Sequence, residues 1–233
     1  MSIAASEWVA RSGVDLAVHH RWPDYSVILV AADGVDDRRL TAVATTLFDQ
    51  AVTGARSFGP DDPHVARWQQ AYRDFGVKPR VARPSVDALI RRAASDNGLP
   101  RINALVDLYN AISILHRVPI GGEDLDRYDG PARLRLATGD EPFLTSTNGE
   151  QLVDHPDPGE PVWTDDAGVT CRRWNWRQTA RTAIGNGTTG VGFIVDSLDA
   201  PDHLGARRAA ERLADLLPDA HVRAITHPLP PES

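Results

Sequence analysis

The chain has 233 residues, 42% hydrophobic and 24% charged, enough for one large or two small domains with a sizeable core. Its net charge of −7 excludes a whole-surface attraction to nucleic acid, so any RNA contact must use a local basic patch. A single cysteine excludes an internal disulfide framework, and no apolar run approaches the roughly 20 residues that span a bilayer.

The first residues, MSIAASEWVARSG, lack the basic start and apolar run of a secretory signal, and the expectation is a cytoplasmic protein with no membrane contact. Residues 1–24 read as an N-terminal extension whose order the sequence leaves open. Residues 25–32 (YSVILVAA) are apolar and β-branched and end at Asp33-Gly34, which predicts a buried strand and a turn. Residues 36–55 place Leu40, Val43, Leu47 and Ala51 on one helical face. Asp61-Asp62-Pro63 marks a helix start, Val65, Trp68, Tyr72 and Phe75 fill one face, and Gly76 ends it.

Residues 77–83 (VKPRVAR) predict a basic extended linker, since Pro79 and Pro84 keep the residues before them out of helical geometry. Ser85 is expected to cap a helix with Val86, Leu89, Ile90 and Ala93 inward. Lys78, Arg80, Arg83, Arg91 and Arg92 form the densest basic cluster, read either as a solvated face with local ion pairs or as a phosphate track. From Leu99 an amphipathic helix is expected, with Ile102, Leu105, Val106 and Tyr109 toward a core and Asn103, Asp107 and Asn110 in a second stripe. Pro119-Ile120-Gly121-Gly122 reads as a flexible elbow leading into the acidic Glu123-Asp124-Leu125-Asp126.

The character then changes. GPARLRLA (130–137) alternates as a half-buried strand, and PFLTST, EQLVDH, EPVWTD and GVTCRRWNW follow as short segments. Turns at Asn148-Gly149, Pro158-Gly159 and Asp166-Ala167-Gly168 separate them. GVGFIVDS (190–197) is a strong buried strand. Residues 201–217 form a helix with Leu204, Leu213, Leu216 and Leu217 apolar, and 221–226 a last strand. Residues 227–233 are expected to be disordered. The fold class that follows is layered α/β: a β-sandwich-like mixed sheet with helices packed on it, in one compact domain over residues 25–226.

No phosphate-binding glycine loop or HExxH occurs, and the eight histidines lack metal-ligand spacing, so neither metal nor cofactor is expected. Cys171 reads as a small core residue. In residues 171–179, Trp174 and Trp176 are expected on one face of a strand with Asn175 and Arg177 on the other, an arrangement suited to stacking a base or gripping a ligand, or simply to core packing.

The ordered string Trp68, Tyr72-Arg73-Asp74-Phe75-Gly76, Lys78-Pro79, Arg83-Pro84-Ser85, Leu99-Pro100, Asn103, Val106-Asp107, Asn110, Pro119, Asp124-Leu125-Asp126, Gly130, Arg135, Gly159-Glu160 and Trp174…Trp176-Arg177 carries a family likeness. Over about residues 25–217 the chain resembles the B3/B4 domain of the phenylalanyl-tRNA synthetase β-subunit, in freestanding form. The resemblance implies a layered α/β fold and a trans-editing aminoacyl-tRNA deacylase, a hydrolase acting on the charged acceptor end of tRNA and not on DNA. The family's VD…N string falls on Asp107 and Asn110. Its editing glutamate falls near Trp176 to Thr179, where this chain has Arg177-Gln178, and its histidine after the elbow falls near Gly121.

Hydrolysis of an activated ester needs little beyond a positioned water and a stabilised oxyanion. On that reading Asn110, Asn175 and Gln178 orient the substrate amine, carbonyl or water, and Glu123 or Asp124 holds the ammonium or acts as base. Arg177 holds the terminal phosphate or the oxyanion. Asp107, Gly121, Gly122, Trp174, Trp176, Thr182 and Thr188 complete the pocket, and the acceptor stem crosses Lys78, Arg80, Arg83, Arg91 and Arg92. A non-catalytic tRNA-binding module and a small-molecule hydrolase are the competing readings. The amino acid, the tRNA and the oligomeric state are left open.

Overall fold

One strand, β10 (Val191–Ser197), is buried at every position and runs through the middle of the molecule. The computed structural model describes residues 2–58, 62–147, 150–198 and 204–228. β2 (Ser26–Ala32) and β3 (Ile120–Asp124) pair antiparallel with β10 on either side, and β11 (His221–Ile225) closes the far edge, giving the order β11-β2-β10-β3. Period-two alternation splits this sheet between two cores. Val30, Ala32, Phe193 and Val195 meet α3 (Asp37–Ala55), α6 (Ala104–His116) and α7 (Leu204–Leu216) on one face. Val27, Leu29, Ala31 and Ile194 pack on the other face with a cluster rich in tryptophan.

That second core is built from distant pieces of chain. Trp8 comes from α1 (Ala5–Arg11), Val18 from α2 (Leu16–Arg21), Trp68 and Tyr72 from α4 (Pro63–Asp74). Leu134 and Trp163 come from a five-stranded sheet of β1 (Gly13–Val14), β4 (Arg133–Leu136), β7 (Pro161–Asp165), β8 (Gly168–Arg172) and β9 (Arg177–Gln178), in the order β1-β4-β7-β8-β9. β5 (Phe143–Thr147) and β6 (Glu150–Asp154) form a separate hairpin, and α5 (Ser85–Ala94) lies before α6. The architecture is the layered α/β class expected from the sequence. Among the described residues no helix is long and apolar enough to cross a membrane. Residues 2–24, whose order the sequence leaves open, contribute the fully buried Trp8 and Val14, and the Asp33 carboxylate accepts from the Ala5 N–H at 3.1 Å.

The helix starts follow their caps. Asp62 accepts from the N–H groups of His64 and Val65 at 3.0 and 3.2 Å, with Pro63 in the first turn. Asn103 caps α6 by accepting from Val106 N–H at 2.9 Å. This shifts the start of α6 past the expected one, so Asn103 sits outside the polar stripe and Ile102, expected in the core, is 63% exposed. Four more local expectations are corrected. Residues 119–122 are no elbow, because Ile120 to Gly122 belong to β3. Lys78 to Val81 close a turn through the Lys78 carbonyl instead of extending. Pro84, not Ser85, takes the cap position of α5, without a side-chain bond. Leu204 is 60% exposed at the start of α7. The expected turn at Asn148-Gly149 and the start at Asp61 lie outside the described residues, as does most of the tail expected to be disordered.

Trp8→Ala tests how far the N-terminal segment belongs to the core. Removing a fully buried indole is expected to cost about 3–5 kcal/mol, read as a lower urea midpoint with unchanged slope. A cost below about 1 kcal/mol would mean that the segment docks on a core that stands without it.

Candidate active site

The edge of one sheet faces the edge of the other. β3 ends the four-stranded sheet and β9 ends the five-stranded sheet, and between them lies a cavity of about 260 Å³. α5 and α6 close it through Ala88, Leu89, Tyr109 and Asn110. Its floor is aromatic, with Trp163 and Trp174 almost fully buried.

A single amide stitches the two edges. Gln178 Nε2 donates to the Gly122 carbonyl at 2.6 Å and to Glu123 Oε2 at 2.7 Å, with the Thr182 carbonyl at 3.3 Å. Glu123 is 1% exposed and has no cation within ion-pair distance among the described residues. Burial pushes its carboxyl up to about 8, with the Gln178 amide working in the opposite direction. At neutral pH it is therefore mainly a neutral acid, able to donate as well as accept.

The second buried carboxyl comes from β10. Asp196 accepts from the Tyr25 hydroxyl at 2.7 Å and from Asn175 Nδ2 at 3.3 Å. Burial raises it to about 7, the Tyr25 and Asn175 donors opposing. Asn175 is itself held, because its Oδ1 accepts from the Tyr72 hydroxyl at 3.0 Å and from the Ser85 N–H at 3.3 Å. These contacts depend on a tight turn between β8 and β9. Arg173 and Trp174 both adopt left-handed backbone (φ 48° and 68°), so residues 173–176 do not continue a strand. The expectation of both tryptophans on one strand face is corrected accordingly. Trp174 turns into the core against Trp22, Tyr25 and Trp68, with ring centroids 4.7, 4.9 and 5.1 Å away. Trp176 stays at the cavity, half-buried, under the Arg173 guanidinium at 4.4 Å.

The cavity thus brings together Asn110, Gly121, Gly122, Glu123, Trp174, Asn175, Trp176, Arg177 and Gln178. Other residues expected at the site lie elsewhere. Asp107 accepts from the Ile102 N–H at 2.9 Å and faces Arg101 at 3.6 Å, beside the start of α6. Asp124 is buried behind the cavity and accepts from the Thr188 hydroxyl at 2.8 Å. Thr182 and Thr188 are buried and do not line the cavity. Conversely, Ser85, Tyr109, Trp163 and Asp196 line it without having been singled out. Helical spacing assigns Tyr109 to the core, and it does pack there, 5.7 Å from the Phe193 ring, while also lining the cavity; Asp196 ends a strand that reads as plain core. Cys171 also lines it, half-buried, where a core residue was expected. Burial, with Glu123 nearby, pushes its thiol well up, which disfavours the nucleophilic thiolate.

The basic cluster is partly self-neutralised. Arg83 and Arg91 grip the 4%-exposed Asp87 at 3.2 and 2.7 Å, beside a small surface cavity formed with Tyr72 and Pro84. Lys78, Arg80 and Arg92 are exposed, with no ion pair among the described residues. They are the members that remain available to a phosphate.

The family model described as the B3/4 domain matches residues 67–217. A crystal structure of an N-terminal fragment of the phenylalanyl-tRNA synthetase β-subunit from Pyrococcus horikoshii is similar at 13% identity and a TM-score of 0.42. That similarity covers 91% of this chain and 50% of that one. The chain therefore spans about half the length of that structure. No curated protein matches.

Glu123→Gln keeps an acceptor for Gln178 and removes the titration. The folded group ionises near 8 and the unfolded one near 4.5, so its stabilising contribution is complete below pH 4.5 and is lost as pH rises to about 8. Across that window the wild type is expected to lose up to about 1.4 kcal/mol per pH unit from this group. Urea midpoints at pH 5 and pH 8 should therefore shift in favour of the variant at the higher pH. An unchanged difference would show that Glu123 ionises as readily in the folded chain as in the unfolded one.

Proposed function

The chain belongs to the B3/4 domain family, and from that premise we propose that it hydrolyses the ester of a mischarged tRNA, acting in trans as an aminoacyl-tRNA deacylase. The observation that supports this best is one cavity, set between two sheet edges, with an aromatic floor, oriented amides and two buried carboxyl groups. Such a combination suits an amino acid presented on the end of a longer molecule.

The chemistry asked of the protein is modest. A water oxygen bonds to the ester carbonyl carbon and the bond from that carbon to the ribose oxygen breaks. The water's proton ends on the ribose oxygen, leaving free amino acid and uncharged tRNA. Asn110 and Gln178 orient the aminoacyl group and the water. Glu123 receives the α-ammonium, whose charge favours ionisation of the acid. Asp196, raised to about 7 by burial, is matched to accept a proton near neutrality, and Asn175 fixes its orientation. Arg177, exposed at the rim, meets the terminal phosphate, and Lys78, Arg80 and Arg92 take the acceptor stem. No protein nucleophile is required, and the tRNA's own vicinal hydroxyl assists.

A non-catalytic tRNA-binding module is the second reading. It is favoured by Gly121 and by Arg177-Gln178, which stand where the family resemblance implies a histidine and a glutamate.

The discriminating measurement is deacylation of a panel of mischarged tRNAs by the purified protein. One mischarged pair is expected to be hydrolysed and the cognate pair spared. Asn110→Ala is expected to lower kcat/KM by about 100-fold, as loss of one orienting donor does, while tRNA binding and melting temperature stay unchanged. No hydrolysis across the panel, with tRNA still bound in a salt-sensitive way, would leave the binding module as the function.

A further inference from the structure

β3 carries main-chain groups on its outer edge that its own sheet does not use, and register identifies them. In an antiparallel pair, alternate residues turn N–H and C=O together toward the partner and then together away from it. Asp196 N–H donates to the Pro119 carbonyl and Leu125 N–H to the Gly190 carbonyl, so the odd-numbered residues of this segment face β10. Asp124 N–H donates the other way, to the Thr182 carbonyl at 2.8 Å. Ile120, Gly122 and Asp124 therefore turn outward, toward the seam with β9.

Three of these six outward groups are taken, and the Glu123–Ala183 bridge lays residues 182–184 along the Asp124 end of the edge. The Gly122 carbonyl accepts from Gln178, and the Asp124 carbonyl accepts from the Arg127 N–H at 3.1 Å. The Gly122 N–H and the Ile120 carbonyl have no partner among the described residues, and both residues line the cavity. They flank Gly121, whose missing side chain leaves the edge open: a Cβ there would meet only Ile194, at 4.0 Å. Gly122 is fixed from its other side, where a Cβ would come within 2.7 Å of the Tyr109 ring and 2.9 Å of Ile184.

A carbonyl at one residue and an N–H two residues later is the pattern that a parallel strand uses to hold the residue opposite. That residue's N–H donates to the first group, and its carbonyl accepts from the second. An aminoacyl ester carries the same pair, an ammonium and a carbonyl separated by one carbon. We propose that the Ile120 carbonyl and the Gly122 N–H clamp the α-ammonium and ester carbonyl of the substrate as a one-residue strand added to the open edge of β3.

This clamp rests on the deacylase reading and refines it. With Glu123 it grips only groups common to every amino acid, so discrimination falls to the aromatic floor. It also aims the Gly122 N–H at the oxygen where negative charge develops during water attack. Gln178 holds the adjacent carbonyl and keeps the edge in line.

Replacing Gly122 by glycolic acid, which exchanges one backbone N–H for an ester oxygen, tests the clamp. The same exchange at Gly121, whose N–H faces β10, serves only as the melting-temperature reference, because it also turns the Ile120 carbonyl of the clamp into a weaker ester acceptor. Two readouts are needed: kcat on the mischarged tRNA, and the Kd of a non-hydrolysable aminoacyl-adenosine amide followed by tryptophan fluorescence. The exchange at Gly122 is expected to lower kcat about 100-fold and weaken the amide about 10-fold, with a smaller fall in melting temperature than the exchange at Gly121. Equal affinity of wild type and variant for the amide, or no binding by wild type, would overturn the clamp. A fall in melting temperature as large as at Gly121 would also overturn it, by assigning the N–H to the ladder. Wild type that binds the amide and loses that affinity with the exchange, but hydrolyses no tRNA, would retain the clamp and dismiss the deacylase.

Discussion

Everything in this molecule hangs on the burial of β10. A strand that is covered on both faces must satisfy all its backbone groups through its neighbours, and β2 and β3 supply them in continuous register. Once that pairing is made, the alternation of side chains assigns each residue to one core or the other. Phe193 and Val195 then fix the helical layer, and Ile194 fixes the contact with the second sheet. The cavity is a by-product of the same pairing. β3 has a full strand partner on one side only; on the other, residues 182–184 cover just its Glu123–Asp124 end, and the space beside the rest of that edge is where the two sheets fail to merge.

The walls of that space are held by interactions that are costly unless complete. Arg172 is buried against Glu160, with Nε and Nη2 donating at 3.0 and 2.9 Å to its two oxygens. Glu160 also accepts from the backbone N–H of Arg173 at 2.9 Å and of Asp157 at 3.2 Å. With all these lone pairs engaged, the buried pair offsets its desolvation. It also anchors the start of a turn in which two consecutive residues without a glycine's freedom take left-handed backbone, at a cost of about 1–3 kcal/mol each. The Tyr72 hydroxyl secures the turn from α4 by donating to the Arg173 carbonyl at 2.6 Å. The result is a short segment that sends Trp174 inward, Trp176 to the cavity and Asn175 onto Asp196.

Charge is used sparingly in this fold. In an acidic chain the basic stretch from Lys78 to Arg92 is the natural place for a phosphate track, yet Arg83 and Arg91 are turned onto the buried Asp87. That arrangement orders the segment beside the cavity and leaves only its outer cations for a partner. The cavity itself is the reverse case, with two carboxyl groups and no cation paired to either among the described residues. A pocket of that kind favours a ligand that brings its own positive charge or its own donors.

Much of this was legible in the sequence, and the physical reason is locality. Periodicity gave the buried strands β2 and β10 and the helices α3, α4 and α7, because a face that must be buried repeats every two or 3.6 residues wherever the chain goes. Caps such as Asp62 act within three residues, and the ordered string of motif residues identified the family. Some misjudged features are local, such as the cap positions of α5 and α6, but those that shape the cavity depend on groups far apart in sequence. Pro119-Ile120-Gly121-Gly122 looks like an elbow until β10 pairs with it, 71 residues away at the Phe193 and Gly122 register, where glycine is needed to clear the Tyr109 ring. Residues 173–176 alternate like a strand until Tyr72 and Glu160 bend them. Asp196 looks like the end of a core strand until Tyr25 and Asn175 give its carboxyl a place beside the cavity. The sequence by itself determined which stretches would be buried and which family they belong to. Tertiary structure alone decided which polar groups share one pocket, because that depends on hydrogen bonds spanning as many as 171 residues, as between Tyr25 and Asp196, and no local pattern encodes them.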